Sequence, residues 1–227
     1  MFIDSVNGLD KLFESDILKG FIILVVGAAG TLKSGFVHSL LSNYLSDNQE
    51  FGLYATLEES EENHLRNMKS LGINKPDKLE IFDYKDIRKE WESEKIDMIK
   101  ITKDIIDFYK KREDNFTIFA LDSLNALHSL VNSKNPRNDS YNFFTMLKES
   151  GLTSFIIMET GDPRTYPEHF LVDGEIELGI LETKTDVKRY MQIKKMRATK
   201  HSMKKHQFIV NEDGIWILGP LYETWSI

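Results

Sequence analysis

A strand, a loop of small residues and a helix follow one another between residues 21 and 35, and this succession constrains the fold more than any other feature. Residues 21–26 are apolar and rich in β-branched types, which is typical of a strand buried on both faces. The residues that follow are Gly27, Ala28, Ala29, Gly30, Thr31 and Leu32. Lys33, Ser34 and Gly35 then open a segment with apolar residues at helical spacing. The stretch therefore predicts a strand, a tight loop and a helix.

The loop between this strand and this helix is predicted to bind phosphate. Its backbone N–H groups point into one concavity, where the helix dipole adds positive potential. Lys33 supplies a charge for the β- and γ-phosphates of a nucleotide, and the Ser34 hydroxyl can bind Mg²⁺. Leu32 stands where the motif G-x-x-x-x-G-K-[ST] has its second glycine, so residues 27–35 form a variant of that motif. The alternative is that these residues only form a turn and the start of a helix and bind no ligand. Residues further along the chain that suit a nucleotide site make this alternative less favourable.

Composition excludes several classes of protein. The 227 residues are predicted to form a single domain, 1–227, without a linker. The absence of cysteine excludes disulfides, thiolate catalysis and zinc-thiolate sites, and the net charge of −7 disfavours nucleic acid as a general partner. No apolar run is long enough for a membrane span, so we expect a soluble, cytoplasmic chain. The six histidines lack metal-site spacing, and ordinary core or surface positions are expected for nearly all of them.

Apolar runs alternate with amphipathic segments along most of the chain, which predicts an α/β fold. The predicted strands are 21–26, 51–56, 79–82, 116–122 and 152–158, and the helices between them are 34–46, 60–71, 86–112 and 140–149. Such alternation predicts a mostly parallel sheet flanked by helices, with its ligand at the carboxyl ends of the strands. Four further strands are predicted at 174–182, 187–196, 206–210 and 214–218. These C-terminal strands would extend the sheet as antiparallel hairpins.

Acidic residues follow two of the predicted strands. Asp122 ends an apolar strand, where its carboxylate can bind Mg²⁺ directly or through water, although it could also cap the helix that follows. Glu58 and Glu59 come directly after the second strand and could orient or deprotonate a water that attacks a γ-phosphate. The alternative is that both decorate a helix N-terminus, where acidic residues are favourable. The sequence does not distinguish Glu58 from Glu59 as the base.

Two cations end the predicted strand at 187–196. Lys195 and Arg197 are two residues apart, so we expect both on the face that also carries Met191 and Ile193. Cations on an otherwise apolar face must reach either solvent or an anion. If that anion is the γ-phosphate of a neighbouring subunit, the two side chains would stabilise charge in the transition state.

Taken together, these motifs resemble the RecA superfamily of P-loop NTPases and, within it, the KaiC-like ATPases. The matching stretches are 27–34 (GAAGTLKS), 54–60 (YATLEES), 119–123 (FALDS), Asp173-Gly174 and Lys195-Met196-Arg197. They occur in the family's order over nearly the whole chain. Three features differ from the family pattern: Leu32 replaces a glycine, the lead-in before residue 21 lacks paired glycines, and there is one such domain rather than two.

The resemblance implies ATP in the loop at residues 27–35 and Mg²⁺ at Ser34 and Asp122. It also implies that Lys33 and the pair Glu58 and Glu59 take part in catalysis. Lys195 and Arg197 would then reach the nucleotide of the adjacent protomer in a ring, often a hexamer. The expected function is slow ATP hydrolysis between the subunits of a homo-oligomer.

Two other functions stay open on the sequence alone. Leu32 motivates a regulatory module that holds ATP with little or no hydrolysis and acts through a protein partner. A filament protein that binds DNA is the other alternative, since Arg164, Lys134 and Arg137 could reach a strand. The acidic balance disfavours the DNA-binding alternative.

Overall fold

A computed structural model describes residues 1–84, 97–130, 136–159, 167–182 and 186–221. Several sequence predictions lie outside these ranges: the first part of the helix predicted at 86–112, and Lys134 and Arg164. Within the described residues, no helix has the length and apolar character that crossing a bilayer requires.

The elements follow the predicted alternation closely. The strands are β1 (Ile22–Gly27), β2 (Phe51–Thr56), β3 (Leu79–Asp83), β4 (Phe116–Asp122), β5 (Thr153–Glu159), β6 (Gly174–Glu182), β7 (Val187–Met196), β8 (His206–Asn211) and β9 (Gly214–Pro220). The helices are α1 (Lys33–Asp47), α2 (Glu61–Ser70), α3 (Met98–Arg112), α4 (Leu124–Leu130) and α5 (Pro136–Ser150). Short 3₁₀ helices lie at Phe2–Asp4, Leu9–Leu12 and Pro167–Phe170.

The strands form one sheet in the order β3-β2-β4-β5-β1-β6-β7-β8-β9. The pairs from β3 to β6 are parallel, and the pairs β6–β7, β7–β8 and β8–β9 are antiparallel. The predicted fold class, a mostly parallel sheet with C-terminal antiparallel strands, is therefore confirmed. The parallel part places the carboxyl ends of β1, β2, β4 and β5 on one edge, where ligands bind in sheets of this kind.

Two apolar layers cover the sheet. All six residues of β1 are buried, and they alternate between the layers: Ile23 and Val25 pack with α1 and the N-terminal 3₁₀ helices, whereas Leu24 and Val26 pack with α3, α4 and α5. A strand covered on both faces has no polar face, which explains its uninterrupted apolar sequence.

Helix α5 begins earlier than predicted. The polar run at 132–140 suggested a loop, but the helix starts at Pro136, so that prediction is wrong from residue 136 onward. Proline suits the first turn of a helix because its missing N–H would have no partner there. Ser140 is buried and donates to Glu168 Oε1 at 2.8 Å, while Arg137 is exposed. From residue 136 onward, the polar residues therefore belong to the first turns of a helix, where Arg137 faces solvent.

Candidate functional site

The carboxyl ends of β1, β2, β4 and β5 surround a cavity of about 450 Å³. The strand register aligns these ends, because Gly27 lies opposite Glu159, and Asp122 lies opposite both Thr56 and Ile157. The cavity is lined by Ala29, Gly30, Leu32, Lys33, Ser34, Gly35, Glu58, Glu59, Asn67, Met68, Ser70, Leu71, Asp122, Ser123, Ile157 and Glu159. The sheet thus brings the predicted loop, Asp122 and both candidate glutamates to one place.

The loop before α1 is held closed by contacts within itself. The Thr31 hydroxyl and the Lys33 ammonium both donate to the carbonyl oxygen of Ala28, each at 2.8 Å. Gly27 has no room for a side chain, since a Cβ would lie 2.2 Å from the carbonyl oxygen of Leu178. Residues 28–30 are exposed at the mouth of the cavity. The loop therefore presents its backbone to a ligand while its base is packed tightly.

Leu32 adopts the backbone conformation that glycine would. Its φ and ψ are 68° and 33°, in the left-handed region, and it directly precedes the first residue of α1. A side chain in this region costs about 1–2 kcal/mol. The Leu32 side chain packs against the apolar layer around α1, which offsets part of that cost. The loop thus keeps a glycine-like path despite the substitution.

The Lys33 ammonium is buried at the start of α1, among three carboxylates. Burial lowers the pKa of the Lys33 ammonium, and the carboxylates of Glu159, Asp122 and Glu58 oppose this shift. The same ammonium is placed to pair with a phosphate at the N-terminus of α1.

Asp122 is buried beside the start of α1. Its Oδ2 accepts a hydrogen bond from the Tyr54 hydroxyl at 2.8 Å, and the Ser34 side chain lies close enough to act on the Asp122 pKa. Burial raises the pKa of Asp122, while Ser34 and Tyr54 act in the opposite direction. The peptide bond between Asp122 and Ser123 is cis.

The side chains of Ser34 and Asp122 suit a Mg²⁺ ion that takes its remaining ligands from a nucleotide and from water. A hydroxyl and a carboxylate that line the same cavity provide the oxygen ligands that Mg²⁺ prefers. In the described ranges, no group of three or more histidine, aspartate or glutamate side chains could hold a metal by itself. Phosphate and water oxygens would have to complete the coordination, as is usual for this ion.

Glu58 and Glu59 have different surroundings, which the sequence did not predict. Both oxygens of Glu59 contact α2: Oε1 lies 3.1 Å from His64 Nδ1, and Oε2 accepts from Asn67 at 2.9 Å. Glu58 is exposed in the cavity and accepts a hydrogen bond from the Ser123 hydroxyl. Glu59 is therefore anchored to α2, whereas Glu58 faces the space beside Asp122.

Glu159 also lines the cavity, and its part in this site was not predicted from the sequence. Glu159 ends β5 beside the loop at residues 27–35, called the phosphate loop below. Its backbone exchanges two hydrogen bonds with the Asn125 side chain, at 2.7 and 2.9 Å. Its position at the end of an apolar strand is the same signal that identified Asp122. Tyr54 and Asn67 were also missed, because their contacts join elements that only the fold brings together.

Lys195 does not lie where the sequence predicted. Glu175 pairs with Lys195 and Ile176 pairs with Ile193, so Lys194 is an extra residue in β7. Such a bulge reverses the alternation of side chains, which places Lys195 on the opposite face from Ile193. Its ammonium donates to the carbonyl oxygens of His169 and Val172, at 2.8 and 2.7 Å. The expectation of a shared face with Met191 and Ile193 is wrong.

Arg197 follows β7 and pairs with its own chain. Its Nη1 lies 3.0 Å from Asp173 Oδ1, and Lys148 Nζ lies 3.1 Å from the same oxygen. Burial of Asp173 acts to raise its pKa, but hydrogen bonds from the Ile22 N–H, Lys148 and Arg197 lower it overall. Half of the Arg197 side chain stays exposed.

The chain matches a known protein family, as its motifs indicate. The family model described as "ATPase: KaiC" matches residues 4–222. The chain belongs to the KaiC ATPase family. Membership supports an ATP-binding, ATPase-type function, and it confirms the resemblance drawn from the motifs.

Relatives of similar length occur in archaea and bacteria. A UPF0273 protein of Pyrococcus furiosus is 27% identical over 92% of this chain and 90% of its own length. A UPF0273 protein of Thermotoga maritima is 28% identical over 93% of each. The circadian clock protein KaiC2 of Synechocystis is 27% identical, but the chain spans only 39% of that protein. A crystal structure of a KaiC-like protein from Pyrococcus horikoshii superposes with a TM-score of 0.80 at 28% identity, covering 94% of this chain and 96% of the other.

Proposed function

We propose that residues 1–227 form one domain that binds Mg-ATP and hydrolyses it slowly at sites between the subunits of a homo-oligomer. The observation that carries the proposal is the convergence of Lys33, Asp122 and Glu58 on one cavity of about 450 Å³. Each of these side chains comes from a different element, and each has a separate task in phosphoryl transfer.

The triphosphate would bind at the backbone N–H groups of residues 27–35, with Lys33 exchanging its contact with Ala28 for the β- and γ-phosphates. Ser34 and Asp122 would hold Mg²⁺, which supplies charge neutralisation for the phosphate oxygens. The cavity continues to Asn67, Met68 and Ser70 on α2 and to Leu71 just after it, which leaves space for the nucleoside.

Glu58 is the better candidate for the base that orients and deprotonates the attacking water. It reaches the cavity beside Asp122, and within the part of the chain that the structure describes its one hydrogen-bond partner is the Ser123 hydroxyl. Both carboxylate oxygens of Glu59 are engaged by His64 and Asn67, so Glu59 would fix the segment that carries Glu58. A base must lie within hydrogen-bond reach of the water, which favours the residue with free acceptor capacity.

A neighbouring subunit would supply the remaining positive charge. Arg197 is half-exposed and could turn from Asp173 towards an adjacent nucleotide, whereas the Lys195 ammonium is occupied by two carbonyl oxygens. We therefore assign the contact in trans to Arg197 first, with Lys195 supporting the segment beside it. Sedimentation velocity with and without Mg-ATP tests this assembly, and a monomer in both conditions would contradict it.

Phosphate release on mixing the purified protein with Mg-ATP tests the hydrolysis. We expect slow but continuous release that requires Mg²⁺. Tight retention of ATP without release would instead support a regulatory module that acts through a protein partner. Leu32 motivated that alternative, but its glycine-like backbone leaves the loop closed in the same way and does not favour it.

A further inference from the structure

Two fully buried histidines lie directly behind the candidate catalytic glutamates. His38 is in α1 and His64 is in α2, and neither is accessible to solvent. His38 Nδ1 and His64 Nε2 are 2.9 Å apart, and His64 Nδ1 lies 3.1 Å from Glu59 Oε1. The two imidazoles therefore form a chain that runs from the helix of the phosphate loop to the carboxylate of Glu59.

Tyr54 connects this chain to the candidate metal site. Its ring packs against both imidazoles, with centroid distances of 4.5 Å to His64 and 5.7 Å to His38. Its hydroxyl donates to Asp122 Oδ2, and burial followed by the charge of Asp122 raises the pKa of Tyr54. The same group of side chains thus contacts Asp122 at one end and Glu59 at the other.

Hydrogen-bond accounting selects one arrangement of protons. Glu59 as a carboxylate accepts from the Nδ1–H of His64, which leaves His64 Nε2 to accept from the Nδ1–H of His38. His38 Nε2 is then a buried acceptor, and it has no hydrogen-bond partner among the described residues. Reversing the direction would leave a buried N–H without an acceptor, at a cost of about 1–3 kcal/mol.

The surroundings of His38 keep its ring neutral, as this arrangement of protons requires. Burial lowers the pKa of His38 to about 3, and the charge of Lys75 acts in the same direction. The ionisable groups that face the pair are Glu59, Tyr54, Asp122 and Lys75. A neutral His38 donates to His64, so it fixes which ring nitrogen of His64 carries the hydrogen.

We propose that His64 is a positioning residue for the catalytic glutamates and that His38 sets its tautomer. The proposal rests on the proposed function. His64 and Asn67 hold the two oxygens of Glu59, and this fixes the backbone from which the neighbouring Glu58 reaches the cavity. Neither histidine lines the cavity, so the effect acts through the glutamates rather than by contact with the nucleotide.

Replacing each histidine by glutamine and by leucine distinguishes the effect of its hydrogen bonds from the effect of its volume. In His64→Gln the amide keeps one donor for Glu59 and one acceptor for His38, whereas His64→Leu keeps the bulk and loses both. We expect His64→Leu to lower kcat about tenfold to a hundredfold, with ATP affinity changed less than about threefold, and His64→Gln to recover most of that loss. His38→Leu should give a smaller fall, and His38→Gln should reverse it. A His206→Leu control removes another buried histidine, on β8, and should leave kcat unchanged.

A second readout does not depend on hydrolysis. Long-range ¹H–¹⁵N spectra of the histidine rings should show a hydrogen on Nδ1 of both His38 and His64 and none on Nε2 of either ring, and Glu59→Gln should shift the His64 signals. A hydrogen on Nε2 of either ring would overturn the proposal. So would wild-type kcat in folded His64→Leu, or, if that variant does not fold, an unchanged kcat in His38→Leu. Absence of hydrolysis by the wild type would instead contradict the proposed function, and the spectra would still test the chain from His38 to Glu59.

Discussion

The phosphate loop and the end of β7 lie at opposite edges of the sheet, and both concentrate charged side chains, yet they differ in how those charges are used. At the loop, Lys33 and Glu58 face a cavity that a ligand can enter. At the end of β7, the Lys195 ammonium binds two carbonyl oxygens and Arg197 pairs with Asp173. The first region leaves space for a ligand beside its charged groups. In the second region, Lys195 and Arg197 must break contacts within their own chain before either can bind a ligand of a neighbouring subunit.

Replacement of Lys33 tests the first region with the largest expected effect. Lys33→Ala removes the charge placed for the β- and γ-phosphates, so we expect nucleotide binding to fall at least about a hundredfold. Binding of a fluorescent ATP analogue would measure this. Lys200→Ala, which removes an exposed lysine paired with Glu14, is the matched control and should bind as the wild type does. Equal affinity in both variants would remove the loop from the site.

The two glutamates should respond unequally. Glu58→Gln should lower the rate of phosphate release by about 10²–10⁴-fold with nucleotide binding intact, because the amide cannot take a proton from water. Glu59→Gln should have a smaller effect, since it changes only the anchor on α2, and the double variant should stop release. The measurement is steady-state phosphate release at saturating Mg-ATP. Equal rates in the double variant and the wild type would remove the glutamates from the mechanism.

Asp173→Asn tests how firmly the second region is held. The pKa of Asp173 is lower in the folded protein than in the unfolded chain, where it is about 3.9. The Asp173 carboxylate therefore contributes its full share to the free energy of unfolding above about pH 3.9. This contribution is lost as the pH falls through the folded-state pKa. We expect the variant to lose about 1–2 kcal/mol at neutral pH, a modest figure because Lys148 and Arg197 are half-exposed. Urea unfolding at neutral pH and near pH 3 would measure this, and the difference from wild type should shrink at the lower pH. Glu14→Gln, in an exposed pair, should change neither value.

Leu32 should give the smallest effect. Leu32→Gly removes the cost of a side chain in the left-handed region and also removes packing, so ATP affinity should stay within about threefold and stability within about 1 kcal/mol of wild type. Leu32→Ala loses the packing but keeps the strain, and should be less stable than Leu32→Gly by about 1 kcal/mol. Thermal unfolding together with nucleotide titration would measure both. A large gain in affinity for Leu32→Gly would mean that the leucine alters the loop after all.

The contrast between the two regions also explains what the sequence could predict. Residues 27–35 form their loop from local rules, and Asp122 was found because a carboxylate ended an apolar strand. Lys195 was misplaced because a bulge at Lys194 depends on pairing with β6, which no local pattern reveals. The difference between Glu58 and Glu59 arises from His64 and Asn67, whose contacts follow from the way α2 packs against the sheet.

Calorimetric titration of Mg-ATP into the folded protein would show whether residues 27–35 bind a triphosphate. We predict heat from one nucleotide site per chain, with affinity reduced when EDTA removes Mg²⁺ from Ser34 and Asp122. No heat from well-folded protein at any accessible concentration would contradict the claim that residues 27–35 bind a triphosphate.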